Sequence, residues 1–119
     1  MKKFSLGESE YEVILEWSCG LAIDALWLSV CKIYNEASYE ERRDIFLQVL
    51  YRVLFEKRAK LACGDVLKGT VSEQVESFKM VWPDEKDIDE SLFWVTNDGV
   101  SWVPGGLVWQ YEDGVEVWT

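Results

Sequence analysis

Apolar positions first recur with helical spacing at residues 8–18, ESEYEVILEWS, where Tyr11, Ile14, Leu15 and Ser18 share one face. Gly20 then breaks or re-aims the chain. Residues 21–35, LAIDALWLSVCKIYN, are apolar on most sides, which predicts a central helix buried by its neighbours. Ser38, with Glu41 three residues on, forms a capping box that opens a helix running to about Lys57. Its stripe is Ile45, Phe46, Val49, Leu50, Arg52 and Val53, widened by Leu47 and Leu54, while Arg42, Arg43 and Asp44 lie on the wet side. Residues 59–67 are short and fit either a strand or a loop. Thr70 and Glu73 form a second capping box, and a helix over 71–82 follows, with Val71, Val75, Phe78 and Trp82 on one side. Pro83 ends it, because the residue before a proline avoids the α region.

Beyond Pro83 the pattern changes. DEKDIDE is a polar link, followed by LFWVT, VSWV, LVWQY and VEVWT, which are separated by Asn97-Asp98-Gly99, Pro104-Gly105-Gly106 and Asp113-Gly114. Short β-rich runs with Asp-Gly turns predict antiparallel hairpins. A two-residue turn at Asp113-Gly114 pairs Glu112 with Val115 and Gln110 with Val117, and sets Trp109 opposite Trp118. Tyr111 then shares the face of Trp109, and Val108, Val115 and Val117 take the other. The expected fold is α+β in one domain, 1–119: an N-terminal bundle of about four helices (about 8–82), then a small C-terminal antiparallel β-meander (about 92–119).

Composition narrows the functional classes. The 119 residues include 22 acids, 12 bases and no histidine, for a net charge of −10. That balance disfavours direct binding to nucleic acid phosphates or to anionic membrane surfaces. The missing histidine removes the commonest general base and transition-metal ligand. Cys19, Cys31 and Cys63 follow no metal-binding spacing and read as buried free thiols in a reducing cytoplasm. Lys2 and Lys3 lead into acidic sequence rather than an apolar run, so no export signal is expected, and the apolar stretches are too short to cross a bilayer.

The charge is unevenly placed. Residues 1–83 hold 13 acids against 11 bases, whereas residues 84–119 hold nine acids against Lys86 alone. The candidate partner-binding residues are those nine, Asp84, Glu85, Asp87, Asp89, Glu90, Asp98, Glu112, Asp113 and Glu116, with Trp102 and Tyr111 as aromatic anchors. Acidic surfaces steer basic proteins toward them, and tryptophan and tyrosine are preferred interface residues. The run from Asp84 to Glu90 lacks the glycine and distal glutamate of a calcium loop, no cysteine has a histidine to activate it, and the turn glycines do not precede a helix as a phosphate loop requires. No catalytic residue, metal or cofactor is expected, and the chain reads as a binding protein rather than an enzyme.

Leu26-Trp27, the segment Glu56-Lys57-Arg58-Ala59-Lys60-Leu61, Ser72-Glu73-Gln74-Val75, Trp82-Pro83 and Val108-Trp109 with Asp113-Gly114 and Trp118 resemble a family of small acidic bacterial domains of unknown function. Several such families are immunity proteins beside polymorphic toxins, including those of contact-dependent growth inhibition. The resemblance implies a cytoplasmic protein that binds and neutralises a cognate toxin domain, in many systems a basic nuclease. A regulatory adaptor or a nucleic-acid mimic facing a basic protein is the alternative. A mimic would space its acids regularly along an extended face, whereas here they bunch in one linker and two turns.

Overall fold

The computed structural model describes residues 6–63, 65–87 and 103–119. The helices are α1 (Glu8–Ser18), α2 (Ile23–Ile33), α3 (Tyr39–Phe55) and α4 (Val71–Val81), and the strands are β1 (Ala59–Cys63), β2 (Asp65–Val66), β3 (Gly106–Gln110) and β4 (Glu116–Trp118). Both capping boxes form. The Ser38 hydroxyl accepts the Glu41 N–H at 3.2 Å, and the Glu41 carboxylate accepts the Ser38 N–H at 2.9 Å. Thr70 and Glu73 make the same exchange at 3.1 and 3.0 Å. Each exchange satisfies two N–H groups that a helix start leaves without a partner. Trp82, ahead of Pro83, has the extended backbone that ends α4.

The α+β class and the helical spacing read from the sequence both hold. α3 is the axis of the core: Phe46, Val49, Leu50 and Val53 are fully buried and meet Tyr11 and Ile14 of α1, Leu26 and Val30 of α2, Phe78 of α4, and Leu61 and Leu107 of the sheet. α1 and α2 run antiparallel, with the Gly7 N–H donating to the Tyr34 hydroxyl at one end and Ser18 touching Ser29 further along. α2 differs from the expectation. It is not buried all round, because Leu28 is 57% exposed and faces away from the α3 side.

The antiparallel sheet has strand order β2-β1-β3-β4. The stretch read as strand or loop at 59–67 supplies β1, whose Ala59 and Leu61 are buried in the core, and β2, so the first two strands precede α4 along the chain. β1 pairs with β3 across almost fifty positions of sequence (Lys60↔Val108, Leu61↔Leu107). Gly105 permits this approach, since a Cβ there would lie 2.9 Å from the Ala62 carbonyl oxygen. The run expected as a strand at 92–96 lies outside the described residues, as does that at 100–103 except for Val103, which is not in a strand.

The hairpin register is one residue away from the expectation. Trp109 pairs with Val117, Val108 with Trp118 and Gln110 with Glu116. The loop has three residues, not two. Tyr111 N–H donates to the Val115 carbonyl, Gly114 N–H donates to the Tyr111 carbonyl, both at 3.0 Å, and Gly114 takes a left-handed φ of 87°. This is the three-residue hairpin in which a left-handed glycine follows a type I turn. The slip moves Val117 onto the core face with Trp109 and puts Trp118 outside beside Val108. Cys19, Cys31 and Cys63 are free, but Cys19 and Cys63 are exposed rather than buried, each lying where an element ends. No helix among the described residues is long and apolar enough to cross a membrane.

Candidate functional site

The predicted acidic patch divides between the two ends of α3. Asp84, Glu85 and Asp87 follow α4 beside the α3 N-terminus, where the Tyr39 hydroxyl donates to the Pro83 carbonyl at 3.0 Å. Tyr111, Glu112, Asp113 and Glu116 belong to the β3–β4 hairpin, whose Gln110 N–H donates to the carbonyl of Arg58, just past the α3 C-terminus. A helix of 17 residues separates the two groups, about 25 Å of rise. Asp89, Glu90, Asp98 and Trp102 lie outside the described residues.

At the C-terminal end of α3 the carboxylates are paired within the chain. Arg52 donates to both Glu8 oxygens at 2.8 and 3.2 Å and to Glu56 at 3.1 Å, and its guanidinium lies 3.8 Å over the Tyr11 ring. The Arg58 Nε donates to Glu56 Oε1 at 2.7 Å, and the buried Tyr11 hydroxyl donates to the same oxygen at 2.9 Å. These bonds hold Glu56 below the usual carboxylate range, Arg58 foremost, while Arg52 does the same for Glu8. Burial, with help from Glu56, pushes the Tyr11 phenol well above its ordinary value. Glu116 is also paired: Gln110 donates to it at 2.6 Å and Lys60 at 3.2 Å, and both lower its pKa. Its side chain takes the sheet face opposite that of Tyr111.

The adjoining surface is different. Glu8, Glu12 and Glu16 recur every four residues, so they form one stripe on α1, and Cys19 continues it three residues later. The Tyr111 hydroxyl lies 3.4 Å from Cys19 Sγ, and a Cβ at Gly20 would lie 3.3 Å from it. This contact, together with desolvation, raises the Tyr111 phenol. The hairpin tip therefore abuts the end of the acidic stripe. The Trp109 Nε1–H donates to the Leu21 carbonyl at 2.8 Å and locks the strand leading to the tip onto the α1–α2 turn.

Exposed side chains lie on either side of these contacts: Glu12 and Glu16 from α1, Leu21 from the turn, and Tyr111, Glu112, Asp113 and Val115 from the hairpin. Among the described residues none of these four carboxylates forms an ion pair. Asp113 Oδ1 accepts the Val115 N–H at 3.1 Å and fixes the tip. Glu12 and Glu16 escaped the sequence reading because the first 83 residues are nearly neutral in sum. The four-residue spacing of ESEYEVILE was the signal that could have found them.

The family model for "Protein of unknown function, DUF596" matches residues 54–119. The match spans more than half of the chain, which therefore belongs to that family. Among solved structures, an uncharacterized protein conserved in bacteria, from Neisseria meningitidis, aligns with a TM-score of 0.71 and 26% identity, over 93% of this chain and 88% of that one. No curated protein matches.

Proposed function

We propose that this member of the family is an immunity protein, one that binds a basic toxin domain and blocks it with the surface made by α1 and the β3–β4 hairpin. The observation that carries the reading is the set of four exposed carboxylates that form no ion pair among the described residues, Glu12, Glu16, Glu112 and Asp113, together with exposed Leu21, Tyr111 and Val115. Charged groups beside apolar and aromatic side chains suit a protein interface, in which charge sets the association rate and buried rings set the lifetime. A nuclease needs a basic cleft for its phosphodiester substrate, and an acidic surface of this kind complements such a cleft. The net charge of −10 acts in the same direction at longer range.

The test is co-expression with the basic C-terminal domain of a toxin encoded beside this protein. The expected result is rescue of growth and co-purification of the two chains. Affinity should fall as salt rises, mainly through slower association. Growth arrest despite full expression, or affinity indifferent to salt, would overturn the proposal.

A further inference from the structure

At the other end of α3, a groove of about 520 Å³ opens between the first turn of that helix and the chain leaving α4. Tyr39, Trp82 and Pro83 line it with ring surface, and Glu40, Asp84 and Glu85 supply exposed carboxylates. The rings are fixed in place. The Trp82 Nε1–H donates to the Tyr39 hydroxyl at 2.8 Å, and that hydroxyl donates to the Pro83 carbonyl at 3.0 Å. Trp27 meets both rings edge-on, with centroids 5.8 Å from Tyr39 and 5.4 Å from Trp82. The polar atoms of Tyr39 and Trp82 are thus used on each other and on backbone, so what these two residues offer an incoming group is ring surface, set among charged side chains.

We infer that this groove receives an arginine side chain presented by a protein partner. A guanidinium is flat, stacks on aromatic faces and binds carboxylates through paired N–H groups. The groove offers both kinds of contact side by side. Anions are disfavoured. At the start of α3 the Ser38 and Glu41 N–H groups are taken by the capping box, and Glu40 and Glu41 already place negative charge in the first turn. Two bases also line the groove, Arg43 and Lys86. Arg43 directs Nε and Nη2 to Asp44, each at 3.2 Å, which leaves the carboxylate side in excess. Asp87, whose N–H donates to the Asp84 carbonyl at 2.9 Å, adds a further negative charge to the same turn. The α4 C-terminus, the negative end of that helix's dipole, adjoins the groove and favours a cation as well. Because the pre-set rings need no rearrangement, little ordering entropy is lost on binding.

This inference concerns a surface about 25 Å along α3 from the proposed toxin-binding face, and it stands or falls separately. The experiment uses the intact chain and a blocked Gly-Arg-Gly-Arg-Gly peptide, with a citrulline version as the uncharged isostere. The readout is the indole N–H resonance of Trp82, identified by its loss in Trp82→Phe. The arginine peptide should shift that resonance saturably, and the citrulline peptide should not. The triple variant Glu40→Gln, Asp84→Asn, Glu85→Gln should weaken binding about tenfold or more with an unchanged melting temperature. Should the triple variant melt early, Glu85→Gln alone, on an exposed side chain past the end of α4, serves instead. The inference is overturned if the Trp82 resonance stays fixed while peptide is bound elsewhere or not at all. It is equally overturned if citrulline binds as well as arginine, or if the folded variant binds undiminished.

Discussion

The acidic stripe of α1 and the elements around it hold carboxylates of the same kind put to opposite uses. Toward α3, Glu8 and Glu56 lie in a network with Arg52, Arg58 and the Tyr11 hydroxyl, and these groups fasten α1 to the core. Toward the hairpin, Glu12, Glu16, Glu112 and Asp113 form no ion pair among the described residues, and Glu12 feels Arg58 only at longer range. Removing a partner from the first set should cost stability. Changing the second set should cost recognition and leave the fold alone. Net charge does not distinguish the two; only the position of each acid relative to an arginine does.

The largest effect expected would break the comparison by striking both sides together. Trp109 is buried, and its indole N–H holds the α1–α2 turn. Trp109→Ala should cost about 3–5 kcal/mol of stability and also displace the hairpin tip. Chemical denaturation and binding should therefore both respond. Loss of stability with full affinity would mean that the tip is not part of the binding face.

Charge reversal separates the sides. Glu12→Lys with Glu112→Lys should weaken the complex about 100-fold through the association rate and leave the unfolding midpoint unchanged. Glu116→Lys is the control. That carboxylate is already bonded to Lys60 and Gln110 on the other sheet face, so the substitution should perturb the sheet more than the affinity. Equal losses at Glu112 and Glu116, measured by stopped-flow association, would erase the distinction.

The helices, both capping boxes and most of the core were legible because each rests on local spacing: Ser38 with Glu41, Thr70 with Glu73, and the apolar stripe of α3. The hairpin was legible as a hairpin but not in register. Asp113-Gly114 fits a two-residue turn or the last two positions of a three-residue loop, and only the Tyr111–Val115 pairing decides between them. The register also decides that Glu116, named with the other C-terminal acids, lies on the sheet face opposite Tyr111. The pairing of β1 with β3 joins residues almost fifty positions apart, which no local pattern encodes. For the same reason the surface formed by α1 and the hairpin was half seen: its C-terminal acids were named, and its α1 acids were hidden by nearby bases in the sum.

Tyr11→Phe is a smaller and cleaner probe of the fastened side. It removes one hydroxyl that donates to Glu56 and keeps the ring beneath Arg52. The loss should be about 1 kcal/mol, since one hydrogen bond goes and Glu56 keeps both arginines. Binding of the basic domain should not change. An affinity loss at Tyr11→Phe would show that the network reaches across α1 into the binding face.

The smallest effect lies in the acid limb of stability. Glu8 and Glu56 have folded pKa values below those of the unfolded chain, because arginines and the Tyr11 hydroxyl bond their ionised forms. Their contribution is therefore complete at neutral pH, above the ordinary carboxylate range. It fades as pH falls through that range toward the lowered folded values, where the native state must also take up the protons. Glu8 is exposed, so salt screens most of its share, and Glu56 should account for most of what remains. Glu56→Gln should thus lower the melting temperature at pH 7 while flattening the fall between pH 5 and about pH 3. Toward the acid end of that fall, as wild type loses the same bonds, the two proteins should melt closer together. A variant curve that runs parallel to wild type would place the acid sensitivity elsewhere, and the fastening of α1 would then rest on the packing of Tyr11 and Ile14 rather than on charge.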